Sequence, residues 1–143
     1  MTMKKTVLLS ICGKQNYPGQ EPDCIELVTE GILERTADGW TLTYEESDLT
    51  GLQGVTTTFQ VTPGVITLNR EGPLNSQMVF RENVPHESLY QMEFGALMIS
   101  VCASEVRYAI TENGGTIDLT YSIEIEQSAA GVIEYHLDIQ VKE

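Results

Sequence analysis

The residues most able to do chemistry are polar groups caught inside apolar alternation. Trp40, Leu42, Tyr44 and Glu46 fall at every second position, as do Ile66, Leu68 and Arg70, and Met78 with Phe80. On an extended chain, residues two apart share a face. Glu46 and Arg70 are therefore expected among apolar side chains, where an unpaired charge is expensive and needs a partner or a ligand. Two readings follow. In the first, Arg70 meets a carboxylate or phosphate on a small amphipathic ligand, and Tyr44, Glu46, Arg70, Phe80 and Tyr90 are the candidate ligand-binding residues. In the second, Arg70 and Glu46 pair with each other and the interior is filled.

Other chemistries lack their signatures. Glu45 and Glu46 are adjacent, so on a strand they point to opposite faces and form no carboxylate dyad. Ser100 and Ser104 flank Cys102 with no histidine nearby, and no GxSxG elbow is present. Gly51–Gly54 has neither the length nor the lysine of a phosphate loop. His86 follows Pro85 in what reads as a loop. His136 alternates with the apolar residues of its strand, so haem ligation, which needs an inward imidazole, is not expected. No HxxxH or CxxC spacing suggests zinc. No cofactor or metal is expected, and an enzyme is the least favoured class.

The chain has 143 residues, with 8 basic against 21 acidic, a net charge of −13. At this length roughly 68–70% of the unfolded surface can be buried, enough for one domain over 1–143 without disulfides. The negative charge repels phosphate backbones and anionic lipid, which excludes nucleic acid and membrane as natural partners. Met1–Lys5 followed by Thr6–Cys12 resembles the start of a lipoprotein signal. The apolar run is too short, however, and Ile11 stands where cleavage needs a small residue. The segment reads as the first strand of a cytoplasmic protein. Cys12, Cys24 and Cys102, odd in number, read as buried reduced thiols.

Period two positions everything else. Ile117, Leu119, Tyr121, Ile123 and Ile125 alternate with polar residues. So do Ile133, Tyr135, Leu137, Ile139 and Val141. Such alternation indicates antiparallel strands with one dry face. Asp38-Gly39, Pro63-Gly64 and Asn113-Gly114-Gly115 mark hairpins, and Ser128–Gly131 reads as the loop of the last one. Gly13–Asp23 reads as a long loop. Pro85–Tyr90 and Ser47–Thr50 are the only segments that suggest a helical turn. Consecutive hairpins suit a sandwich or, better, an up-and-down barrel without free edges.

The middle of the chain carries a pattern: Tyr44–Gly51, Thr56–Phe59, Ile66–Gly72, Met78–Phe80, Leu89-Tyr90 and Phe94-Gly95, preceded by Ile25–Gly31. In order and spacing, over essentially the whole chain, it resembles the YwiB-like family of Firmicutes proteins. Gln91 follows Tyr90 where that family usually has threonine, which removes a hydroxyl from the position. The resemblance implies a calycin- or lipocalin-like antiparallel barrel of about 8–10 strands and a cytoplasmic location, and it implies no reaction. Such a barrel either fills with side chains or holds one small ligand. The expected partners are thus an unidentified small molecule and, alternatively, a second copy, with Met92, Phe94 and Met98 as the candidate dimer contacts.

Overall fold

The computed structural model describes residues 4–16, 23–46, 53–92 and 95–142. They form ten strands: β1 Lys4–Asn16, β2 Asp23–Arg35, β3 Trp40–Glu45, β4 Thr56–Thr62, β5 Val65–Glu71, β6 Ser76–Phe80, β7 Pro85–Met92, β8 Gly95–Thr111, β9 Gly114–Ile125 and β10 Ser128–Val141. One sheet contains them all, in the order β6-β5-β4-β3-β2-β1-β10-β9-β8-β7, with every ladder antiparallel. A bridge between Asn75 and Gln91 brings β6 and β7, the two ends of that order, together and nearly closes the barrel. The all-β antiparallel barrel of eight to ten strands expected from the sequence is what forms, with ten.

The inner faces follow the alternation. Val7, Leu9 and Ile11 of β1, Leu42 and Tyr44 of β3, Phe59 and Val61 of β4, and Ile117, Leu119 and Tyr121 of β9 join one buried cluster with Leu137 and Ile139 of β10. Trp40 packs against it at the start of β3. Gly31 is buried because its neighbours leave no room for a side chain. A Cβ there would lie 2.8 Å from both Leu9 Cδ1 and the Thr43 carbonyl oxygen.

Hairpin geometry explains where the sequence reading held and where it did not. Gly64 takes φ +76°, as the third residue of a type II turn requires. The last hairpin turns at Glu126-Gln127, not at Ser128–Gly131. Both residues have positive φ, 49° and 68°, the two-residue turn whose twist matches the strands it joins. Gly131 belongs to a bulge in β10, where the register slips between Ala129 and Gly131. Pro85–Tyr90 is strand β7, paired with β8 from Pro85↔Cys102 to Met92↔Gly95, and makes no helical turn. The strands also run into the expected loop, since β1 extends to Asn16 and β2 starts at Asp23; residues 17–22 of that loop lie outside the described residues, as do Ser47–Thr50 and Phe94.

Candidate functional site

Cross-strand register assembles a polar row on the inner surface. Tyr44 stands opposite Thr57, Thr57 opposite Arg70, and Arg70 opposite Ser76, on β3, β4, β5 and β6 in turn. Directly opposed residues of an antiparallel pair share a face, so all four point inward. Glu46, two residues beyond Tyr44, is buried, and Thr57 Oγ1 donates a 2.8 Å hydrogen bond to its Oε1. From across the interior, the Tyr135 hydroxyl reaches that of Tyr44 at 3.2 Å. Phe59 lies between the two rings, with centroids 6.5 Å from Tyr44 and 5.8 Å from Tyr135.

Electrostatics define what this end of the barrel offers. Burial pushes the hydroxyls of Tyr44 and Tyr135 far above the usual phenol range. Tyr135 and Glu46 add to the effect at Tyr44, while Arg70 pulls both tyrosines back. Both hydroxyls therefore stay protonated; one donates to the other, and the second keeps its proton to donate elsewhere. The Nε of Arg70 is shut off from solvent and has no hydrogen-bond partner. Together they make a cation and two phenols inside an apolar wall, an arrangement able to receive an acceptor-rich group.

The residues expected from sequence are only partly brought together. Tyr44, Glu46 and Arg70 meet at one end. Tyr90 is half-buried on the inner face of β7, packed against the core. Because Asn75 bridges Gln91, it stands beside Ser76. Phe80 is buried but lies four residues along β6 from Ser76, about 13 Å away at strand spacing. There it packs on Tyr121, ring centroids 4.6 Å apart, in the layer of Ile66 and Trp40. It is part of the wall and does not touch the polar row.

Thr57, Ser76, Tyr135 and His86 are additions that the sequence reading did not make. His86 is not in a loop: it lies on β7 opposite buried Val101, and so on the inner face. Tyr135 was legible as core, and only the fold shows its hydroxyl meeting Tyr44. His136 does face outward, where its Nδ1 is 2.5 Å from Asp118 Oδ1 and its Nε2 3.0 Å from Asp138 Oδ2. The hydrogen bond to Asp118 leads the causes that raise its pKa above 6.5. Cys12 and Cys102 form no disulfide and are half-buried, not fully buried as expected; the side chain of Cys24 lies outside the described residues. Both pair across strands with residues of the outer face, His136 and Ser122. Among the described residues, no group of three or more His, Cys, Asp or Glu could hold a metal ion, and no helix is long and apolar enough to cross a membrane.

The fold and this inner row define an antiparallel β-barrel with a polar end. The family model described as a domain of unknown function (DUF1934) matches residues 9–139, and the chain belongs to that family. Among solved structures, the chain is similar to the crystal structure of the YwiB protein from Bacillus subtilis. The two are 20% identical with a TM-score of 0.85, over 98% of this chain and 94% of that one. At that identity the likeness establishes the shared fold, in line with the YwiB-like resemblance. No curated protein matches the chain.

Proposed function

We propose that the protein is a cytoplasmic binding protein that takes one small, largely apolar molecule into the barrel. Arg70 and the hydroxyls of Tyr44 and Tyr135 receive its polar end. The observation that carries this reading is the buried, unpartnered Nε of Arg70. Native folds satisfy buried donors with few exceptions, and an exception on a charged group inside a barrel is explained by an acceptor that arrives from outside. The barrel is calycin-like in plan, an architecture in which some members hold one ligand. That analogy supports the reading only at the level of fold. Cys12 and Cys102, which form no disulfide, suit a reducing compartment.

Native mass spectrometry of protein purified from its own host, before and after denaturation, tests the proposal. A reproducible equimolar adduct, lost in Arg70→Met, is the expected result. Bare protein that also fails to take up apolar probes saturably overturns it.

A second reading rests on a different surface. Leu89 and Met98 stand directly opposite each other on the outer face of β7 and β8, and both are exposed. They would form the centre of a homodimer contact, and Met98→Glu would then shift the sedimenting species to the monomer.

A further inference from the structure

The barrel wall is uneven in one place. Nine ladders join the ten strands in their order, and the tenth junction, β6 to β7, has none. It is pinned at two ends. Asn75 and Gln91 exchange two backbone hydrogen bonds of 2.8 Å each at one end. At the other, Val84 N donates to the Arg81 carbonyl at 3.2 Å, and Asn83 N is drawn to the Ala103 carbonyl of β8 at 2.7 Å. Between these pins, residues 76–80 and 85–90, all of them described, form no ladder with one another. Pro85 has no N–H to contribute. No ladder ties this stretch, so it is the junction at which the barrel wall parts without breaking one.

The same stretch gathers the unsatisfied polar atoms. Among the described residues, three buried side-chain atoms have no hydrogen-bond partner: Arg70 Nε, Ser76 Oγ and His86 Nδ1. They lie on β5, β6 and β7, the two strands of the open seam and the next one along. Arg70 faces Ser76 in register, whereas His86 shares the inner face of β7 with Tyr90 but lies four residues from it, about 13 Å away, toward Phe80. A guanidinium N–H can only donate, a serine hydroxyl can donate, and an imidazole nitrogen donates when it carries the proton. Arg70 and Ser76, two neighbouring donors without an acceptor, fit an oxyanion, whose several lone pairs satisfy both.

We infer that the unladdered seam between β6 and β7 is the doorway for the ligand, and that the ligand carries an oxyanion head group which comes to rest there against Arg70 and Ser76. This rests on the interior-binding reading above and adds the class of the head group and the route. Carboxylate and phosphate share the required chemistry.

The test uses two fluorescent probes with the same kind of apolar body, anilinonaphthalene sulfonate with an oxyanion and phenylnaphthylamine without one. The wild-type chain is expected to bind the sulfonate saturably and more tightly. Ser76→Ala is expected to weaken the sulfonate by about tenfold, the loss of one charge-assisted hydrogen bond, and to leave phenylnaphthylamine unchanged, while the more distant His86→Phe leaves the preference for the sulfonate intact. Equal binding of the two probes, or no effect of Ser76→Ala, overturns the head-group assignment while the interior-binding reading stands. Binding of neither probe overturns both.

Passage is tested by a disulfide across the seam, Gln77→Cys with Leu89→Cys, in a chain where Cys12, Cys24 and Cys102 are serine. Oxidation is expected to slow sulfonate association by about tenfold, a barrier change of roughly one decade, and reduction to restore it. An unchanged rate in the oxidised protein refutes the doorway. Competition with dodecanoate, dodecyl phosphate and dodecanol separates the sources. Displacement by one of the two anions names the head group, and displacement by dodecanol as efficient as by either anion overturns the class.

Discussion

Arg70→Met separates a ligand-binding arginine from a structural one by sign. Methionine keeps an unbranched stem of similar reach and removes the guanidinium. In the ligand-free barrel the Nε donor is buried without an acceptor, and such a group costs about 1–3 kcal/mol of desolvation. The groups that feel its charge most clearly are the neutral hydroxyls of Tyr44 and Tyr135, whose loss of a nearby cation is minor. The substitution is therefore expected to stabilise the free protein by about 1–3 kcal/mol. At about 2–4 °C per kcal/mol for a chain of this size, the midpoint of melting rises measurably. Urea titration followed through Trp40, the single tryptophan, which packs against the core, reads the change. An unchanged slope shows that the native and unfolded states are otherwise the same. If Arg70 instead neutralises Glu46, its removal leaves a buried carboxylate without its cation and costs about 3–5 kcal/mol. A fall in the urea midpoint would refute the reasoning and make Arg70 a structural residue.

Three further expectations address the same interior and the outer histidine. Thr57→Val removes the hydroxyl that donates to buried Glu46; it should lower stability by about 1.5–3 kcal/mol, with Thr57→Ser restoring it, and a loss below about 0.5 kcal/mol would show the bond to be inconsequential. Phe59→Ala empties the space between Tyr44 and Tyr135, where Phe59 is fully buried, and should cost about 3–5 kcal/mol in the same assay; a loss near zero would mean that the interior is loosely filled. For His136, the raised pKa gives stability that is fully present below about 6.5 and is lost as pH rises through the folded-state value. NMR titration of its ring should place the midpoint above 6.5, and Asp118→Asn should lower it; a midpoint unmoved by that change would deny Asp118 its role.

Much of the architecture was legible because one face of most strands is plainly apolar. Ile117 to Ile125, Ile133 to Val141 and Trp40 to Leu42 alternate without ambiguity, and their faces are those observed. Glu46 and Arg70 could be placed inside by extending that parity, although both are polar. The same rule failed on β7 because its inner face is itself polar: His86, Ser88 and Tyr90 point inward, while Leu89 is exposed. A strand with hydrophilic residues inside and an apolar one outside looks like a loop. The turn at Glu126-Gln127 was hidden for a related reason. Neither residue is glycine or asparagine, yet both adopt positive φ, and the nearby Gly131 that drew attention serves a bulge. Which inner polar groups meet, as Tyr44 and Tyr135 do from strands 91 positions apart, depends on how the barrel closes, and periodicity carries no information about that.

The strand order has a consequence for assembly. Eight of the nine ladders join consecutive strands, each able to zip outward from its own turn at low entropic cost. The ninth, β1 with β10, unites Val7–Asn16 with Val132–Val141. The chain is thus two self-winding ribbons, β1 to β6 and β7 to β10, clasped by one long-range ladder on one side and the loosely pinned seam on the other. Severed between Glu82 and Asn83, it would yield two fragments with every local pairing intact and one long ladder through which to find each other, the anatomy of a protein that reassembles from halves.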